Sequence, residues 1–520
     1  MRGISWALLP LLWCLRACDS TEPSESLADG SVDSGDQSMG PAPLARPFDI
    51  VAIVGTGQSL SVGVSGAPAL STSQPDNNLK LGDPDFSGDL SAPPAASAAL
   101  VPLTEPLRLY NPRMPAGPNY PNNLSGETPH TAMGAELTRL ARAADGADYV
   151  SFHSAVGASG QSITWIRKGG TGNSYAAALY EARTAAALAR RAGRSFGYGA
   201  ILMTHGETDA ARVSYGADVF QLFQDYNADL KAITGQTQDI PMLISQQGTF
   251  PPSPGGAEST LAAWRLGVEH PGQVLCTGPK YQYEYAPDRV HLTANSYRRL
   301  GQKYAQVYFQ HVVQGRPWRP LQPRTVAKSG AELVVTFDVP VPPLRFDERI
   351  PAPHQTLNKQ WAAGRGFEVS DGQGAIGINA VALQGAEQVK LTLARAPGAG
   401  LILAYAFTQD VAGYQGGQTD GRQGQLRDSD ERVGYDEETI PCSMTKGSTG
   451  VTALGMQDFS RRSLRDVVVG DGLAPDTVIS ARGPKQLVLS APWTGASGAA
   501  TLKIHNDLHN YAVQFAMAVP

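Results

Sequence analysis

The hydrophobic pattern changes period along the chain. From Phe48 to about Arg316, short continuous apolar runs alternate with stretches whose apolar residues recur at helical spacing. The runs at 50–54, 149–153, 200–203, 242–245 and 273–277 lack polar alternation and predict strands buried on both faces. Between them, 130–144, 175–192 and 219–233 predict helices, the second closed by Gly193. A last helix starts near Thr293 and places Tyr297, Leu300, Tyr304, Val307 and Tyr308 on one face. This alternation predicts a three-layer, flavodoxin-like α/β fold: a parallel sheet with right-handed crossovers and helices on both sides. The long Pro-, Ser- and Gly-rich stretch 64–126 interrupts it and is expected to form a wall or lid over a site.

After Pro323 the period falls toward two. The β-type runs 332–339, 389–394 and 401–407, separated by Gly, Pro and Asp, predict a C-terminal β-sandwich. Residues 446–506 have a flavour of their own and resemble a small β module found in bacterial surface and phage-tail proteins. The closing stretch, N-Y-A-V-Q-F onward, reads as the last strand of the sandwich, which makes the module an insertion. The expected division is 47–316 for the α/β domain, 324–445 plus 507–520 for the sandwich, and 446–506 for the module.

The N-terminus adds a location. Arg2 precedes an apolar stretch, 4–15, too short to cross a bilayer but suited to a signal-peptide core. It ends in Leu15-Arg16-Ala17-Cys18, which resembles a bacterial lipobox, with Cys18 as the lipidated residue. Residues 1–18 are therefore expected to be a lipoprotein-type signal and 19–46 a disordered tether. The expected location is extracytoplasmic, as a bacterial envelope lipoprotein held at the membrane by its lipid; ordinary secretion is the alternative. A net charge of −5 and the absence of a basic stripe exclude a nucleic-acid partner on electrostatic grounds. Cys276, in an apolar run, reads as a buried small hydrophobe, and no Cys/His spacing suggests a metal site. His130 and His153 are expected to be structural, and Trp264, Trp318 and Trp361 to pack in cores. G-Q-L-R-D-S-D at 424–430 reads as a solvated turn rather than a calcium loop.

The candidate chemistry sits after the predicted strands. Gln58 and Ser59 follow the first strand; Gly55 and Gly57 let the chain turn there. Gly157 follows the second, His205-Gly206-Glu207 the third, and Asp288 and His291 the fifth. The carboxyl ends of parallel strands share one sheet edge, so residues distant in sequence can meet there. A serine hydroxyl needs a base, which His291 can supply, and Asp288 can fix its tautomer. The oxyanion of an attacked carbonyl needs donors. The backbone N–H groups of Ser59 and Gly157 and the side chain of His205 are the candidates. Gln58 and Glu207 are expected to support them, with Glu207 a rival acid to Asp288.

These residues resemble the SGNH (GDSL-like) hydrolase superfamily, in its carbohydrate-esterase branch of sialate O-acetylesterases and acetylxylan esterases. The matching blocks are Gly57-Gln58-Ser59, Gly157, His205-Gly206-Glu207 and Asp288 to His291, over about 48–313. The branch usually has Gln where this chain has His205, a departure that puts the oxyanion role of that position in question. The resemblance implies a serine esterase without cofactor that removes O-acetyl groups from an acetylated polysaccharide or glycan. The alternatives are a lipase or esterase for small acyl esters, and a non-catalytic surface protein that binds carbohydrate.

Overall fold

The computed structural model describes residues 44–249, 257–353, 358–408, 416 and 422–520. The expected signal, Cys18 and the expected tether up to residue 43 lie outside them. Pro43–Pro520 forms one compact unit. The tether ends earlier than expected: Ala45 N–H donates to Val313 O, and Arg46 pairs with Asp145.

The first strand, β1 (Ile50–Gly57), is buried at every position and paired on both sides. It runs three residues beyond the apolar run. In chain order follow β2 (Leu79–Gly82), β3 (Ala99–Pro102), α1 (Pro129–Asp145), β4 (Ser151–Ala155), the single turn α2 (Ile163–Ile166), α3 (Ser174–Arg191), β5 (Phe196–Thr204), α4 (Tyr215–Thr234), β6 (Met242–Ile244), α5 (Glu258–Glu269), β7 (Val274–Cys276) and α6 (Ala294–Tyr308). The sheet order is β3-β2-β4-β1-β5-β6-β7, parallel except for the edge strand β3. Its β4-β1-β5-β6-β7 core has the flavodoxin-like order 2-1-3-4-5. The period of two in β1 sorts its side chains. Ile50, Ala52 and Val54 pack with α3, α4 and α5, whereas Val51 and Ile53 pack with α1 and α6.

Local chemistry sets the helix ends. Thr128 caps α1 by accepting from His130 N–H, Pro129 occupies the first turn, and Gly146 closes it in the left-handed conformation. The tyrosine face expected on α6 is buried throughout. Two expectations are corrected. The 64–126 stretch is not only a wall, because β2 and β3 within it extend the sheet. And α5 was not anticipated between β6 and β7.

Beyond α6, two four-stranded antiparallel sheets face each other. One has the order Gly374–Ile376, Phe367–Asp371, Ile402–Tyr405, Phe515–Ala518; the other Ile378–Gln384, Gln388–Leu393, Glu332–Asp338, Gln322–Ser329. Phe337, Phe367, Val389, Leu403 and Phe515 belong to the single core between them, so the region is a β-sandwich. Phe515–Ala518 pairs with Ile402–Tyr405, across an excursion into a separate six-stranded sheet. That sheet starts with Glu438–Met444, earlier than position 446, because this strand pairs with Gly498–His505. Trp318 is buried and donates to Cys276 O; the rings of Trp264 and Trp361 pack against the sandwich core. Cys276 and Cys442 are buried free thiols. The 424–430 stretch, expected to be a solvated turn, is instead largely buried, where Asp428 and Asp430 bond to Asn510 and Arg432. Among the described residues no acidic, His or Cys cluster could hold a metal, and no helix is long and apolar enough to cross a membrane.

Candidate active site

The turn after β1 is built by close approach. Gly57 has φ +139°, and a Cβ there would collide with Thr204 O. Gln58 N–H donates to the same carbonyl, at 3.1 Å, and Ser59–Ser61 then forms one 3₁₀ turn. As the first residue of that turn, Ser59 leaves its N–H without an intra-turn acceptor. A Cβ on Gly157 would strike Ser61 Oγ and Gly57 O, so the β4 loop can lie against this turn only as glycine. Val156 and Ala158 donate back to Gly55 O and Gly57 O, which turns the intervening Gly157 N–H away from β1. Asn123 Nδ2 holds the Gly157 carbonyl at 2.7 Å, and Arg108, paired with Glu181, holds Asn123. Neither Asn123 nor Arg108 was singled out from sequence, since both sit in a stretch without periodicity.

The loop after β7 carries the candidate acid and base. Asp288 Oδ2 lies 2.8 Å from His291 Nδ1, and its Oδ1 accepts from the N–H groups of Val290 and His291. Ser65 Oγ, six residues beyond Ser59, donates to Asp288 at 3.0 Å, and Tyr297 OH donates to Val64 O at 2.7 Å. The Ser59 loop and the Asp288–His291 loop are thereby joined. Partial burial pushes the Asp288 carboxyl up, but the hydrogen bonds from His291, Val290 and Ser65 outweigh it and hold the group at about 2. An ionised carboxylate can only accept, so Nδ1 carries the imidazole proton and Nε2 is left as a base. The same loop is braced from the six-stranded sheet: Arg482 grips Glu284 with two bonds, and Arg465 donates to Gln282 O.

The loop after β5 is different. His205 is fully buried; its Nε2 donates to Gln161 O at 2.9 Å and its Nδ1 accepts from Tyr215 OH at 3.0 Å. Burial, only partly opposed by Asp209, lowers its pKa and keeps the ring neutral. Its one proton is committed, so the expected role of His205 as an oxyanion donor is corrected to a structural one. Gln58 Oε1 accepts from Gly206 and Thr208 N–H, tying this loop to the β1 turn. Glu207 is buried and pairs with Lys280 at 3.4 Å; its Oε2 has no partner among the described residues. Lys280, itself fully buried, was not anticipated. His130 and His153 contact each other at 3.2 Å behind β1 and are both lowered by burial, as neutral packing groups would be.

A family model described as carbohydrate esterase, sialic acid-specific acetylesterase, matches residues 123–310. No curated protein sequence matches the chain. Similar solved structures include a protein from Arabidopsis thaliana, at 17% identity and TM-score 0.37, over 51% of this chain and 100% of that one. They also include a carbohydrate acetylesterase from Xanthomonas citri, at 14% identity and TM-score 0.44, over 72% of this chain and 78% of the other. NanS, at 11% identity and TM-score 0.31, is similar over 50% of this chain and 97% of its own. The family match begins after the Ser59 turn and contains Gly157, Glu207, Asp288 and His291. Over residues 123–310, then, the chain is similar to a carbohydrate-esterase family, and it is an ester-hydrolysing enzyme.

Proposed function

We propose that the chain is a serine esterase that removes O-acetyl groups from a glycan through Ser59, His291 and Asp288. The observation that carries this is the short Asp288–His291 bond in a loop fastened to the Ser59 loop through Ser65. Ser59 Oγ attacks the acetyl carbonyl while its proton passes to His291 Nε2. The N–H groups of Ser59 and Gly157 take the oxyanion. The sugar oxygen leaves with the proton from Nε2, so that an acetyl-Ser59 ester remains. Water, deprotonated by the same nitrogen, attacks that ester and releases acetate and free Ser59. Asp288 stays ionised and stabilises the transient imidazolium.

Acetate release from acetylated glycans and from p-nitrophenyl acetate tests the scheme. Ser59→Ala is expected to abolish both; equal rates in wild type and variant would remove the serine from the mechanism. The apolar stretch at 4–15 and Cys18 support export and lipid anchoring. In a bacterial host, Cys18→Ala is expected to move the protein from the membrane fraction to the soluble one. Retention in the membrane by the variant counts against the anchor.

A further inference from the structure

Part of the 64–126 stretch is shaped as a finger between two hollows. One cavity, of about 550 Å3, has Lys80, Gly82 and Val101 of β2 and β3 on one side and Arg113 on the other. A second, of about 260 Å3, is bounded by Ala67, Leu124 and Gly126. Leu109 and Tyr110 line both, and are 82% and 63% exposed. A large apolar pair held this far into water marks a contact surface, provided it is held there rather than slack.

It is held. Asn122 Nδ2 donates to Asn111 O and Met114 O, and its Oδ1 accepts from Asn111 N–H at 2.7 Å. At the root, Arg108 lies over the Tyr120 ring, 4.3 Å from its centroid, while paired with Glu181. A pre-formed finger loses little entropy when a ligand closes on it. The hollows also lie along the catalytic edge. Strand β2 runs parallel to β4, so Gly82 sits at the same carboxyl edge as Gly157. At the other end, Ser125 N–H donates to Val62 O and Glu127 N–H to Gly66 O, next to the Ser65 that bonds Asp288. The exposed charges Arg113 and Asp85 beside the larger hollow are opposite and 3.9 Å apart, which favours an uncharged ligand.

A sugar ring presents a flat C–H face, suited to an aromatic side chain, and a polar rim of hydroxyls. We propose that the two hollows flanking Leu109 and Tyr110 are subsites for further sugar units of an uncharged glycan chain, with Tyr110 as the stacking platform. The acetylated unit of the same chain lies at Ser59. This inference rests on the esterase reading above and makes the substrate a polymer rather than a single sugar.

The test compares chemically acetylated xylan, mannan and cello-oligosaccharides with the matching acetylated monosaccharides and with p-nitrophenyl acetate. On at least one polymer, wild-type kcat/KM is expected to exceed that for its monosaccharide by about tenfold, and Tyr110→Ala to raise the polymer KM by about that factor. The same variant leaves kcat and both small substrates unchanged, and Tyr110→Trp keeps the polymer preference. Equal use of polymer and monosaccharide by wild type overturns the inference. So does a preference that survives Tyr110→Ala, or a Tyr110→Ala loss shared by all substrates. Activity on p-nitrophenyl acetate without activity on any glycan overturns it too, while leaving the serine chemistry in place. An enzyme inert on every substrate removes the esterase reading and this inference together.

Discussion

Two acid–base pairs stand at the carboxyl edge of the sheet, and their surroundings assign them opposite work. Asp288 and His291 meet at 2.8 Å with their side chains 41% and 18% exposed, and three further donors surround the carboxylate. Glu207 and Lys280 meet at 3.4 Å, and neither reaches solvent. The open pair can exchange a proton with a substrate and with water, because the Nε2 side of the imidazole stays uncommitted. The buried pair cannot. Burial lowers the Lys280 pKa and Glu207 opposes this only in part, and the pairing joins the β5 loop to the β7 loop. Being a carboxylate at this sheet edge is not enough; access and a free nitrogen on the partner decide.

The largest effect that could break this comparison is on rate. His291→Ala is expected to remove turnover, and Asp288→Asn to lower kcat by about 10³–10⁴-fold with melting temperature little changed, measured by steady-state kinetics and thermal unfolding. If Glu207→Gln costs more in kcat than Asp288→Asn, the two acids have been assigned the wrong way round. The next effect is on stability. Glu207→Gln leaves Lys280 charged and unpaired in the interior, which is expected to cost about 3–5 kcal/mol in denaturant unfolding. Adding Lys280→Met is expected to recover much of that loss. A double variant no more stable than the single one would show that the pair is not the unit described.

The smallest effect is on pH. Burial lowers the pKa of His205, next to Glu207, so the unfolded chain takes up a proton there before the folded one does. The stability this contributes is present above the ordinary histidine value of about 6.5 and is lost as pH falls below it. Asp288, also lowered, keeps its contribution down to more acid solution, between about 4 and about 2. Wild type should therefore melt at a lower temperature at pH 5 than at pH 7, and His205→Gln should narrow that difference. An unchanged difference would mean that His205 is already protonated in the folded protein.

Reading the sequence located the five parallel strands and four of the helices because burial on both sheet faces leaves a strong apolar signature, and because Gly193, left-handed in the structure, ends its helix visibly. The Asp288–His291 contact was legible from a spacing of three. Position 205 misled, since a histidine donor and a histidine already donating to a buried carbonyl look alike in sequence; only the partners Gln161 and Tyr215 separate them. Lys280 was invisible for the opposite reason: a lone lysine normally reads as surface, and its burial depends on Glu207, 73 residues away. Strands β2 and β3 gave no signal because each is only four residues long and partly buried.

The last strand has a consequence for synthesis. Ile402–Tyr405 emerges from the ribosome with one flank complete, yet its other neighbour, Phe515–Ala518, is translated roughly 110 residues later. At ordinary rates of about 5–20 residues per second, that edge waits about 5 to 20 seconds for its partner. A stop codon at position 515 would leave every candidate catalytic loop encoded and still remove the strand that closes this sheet.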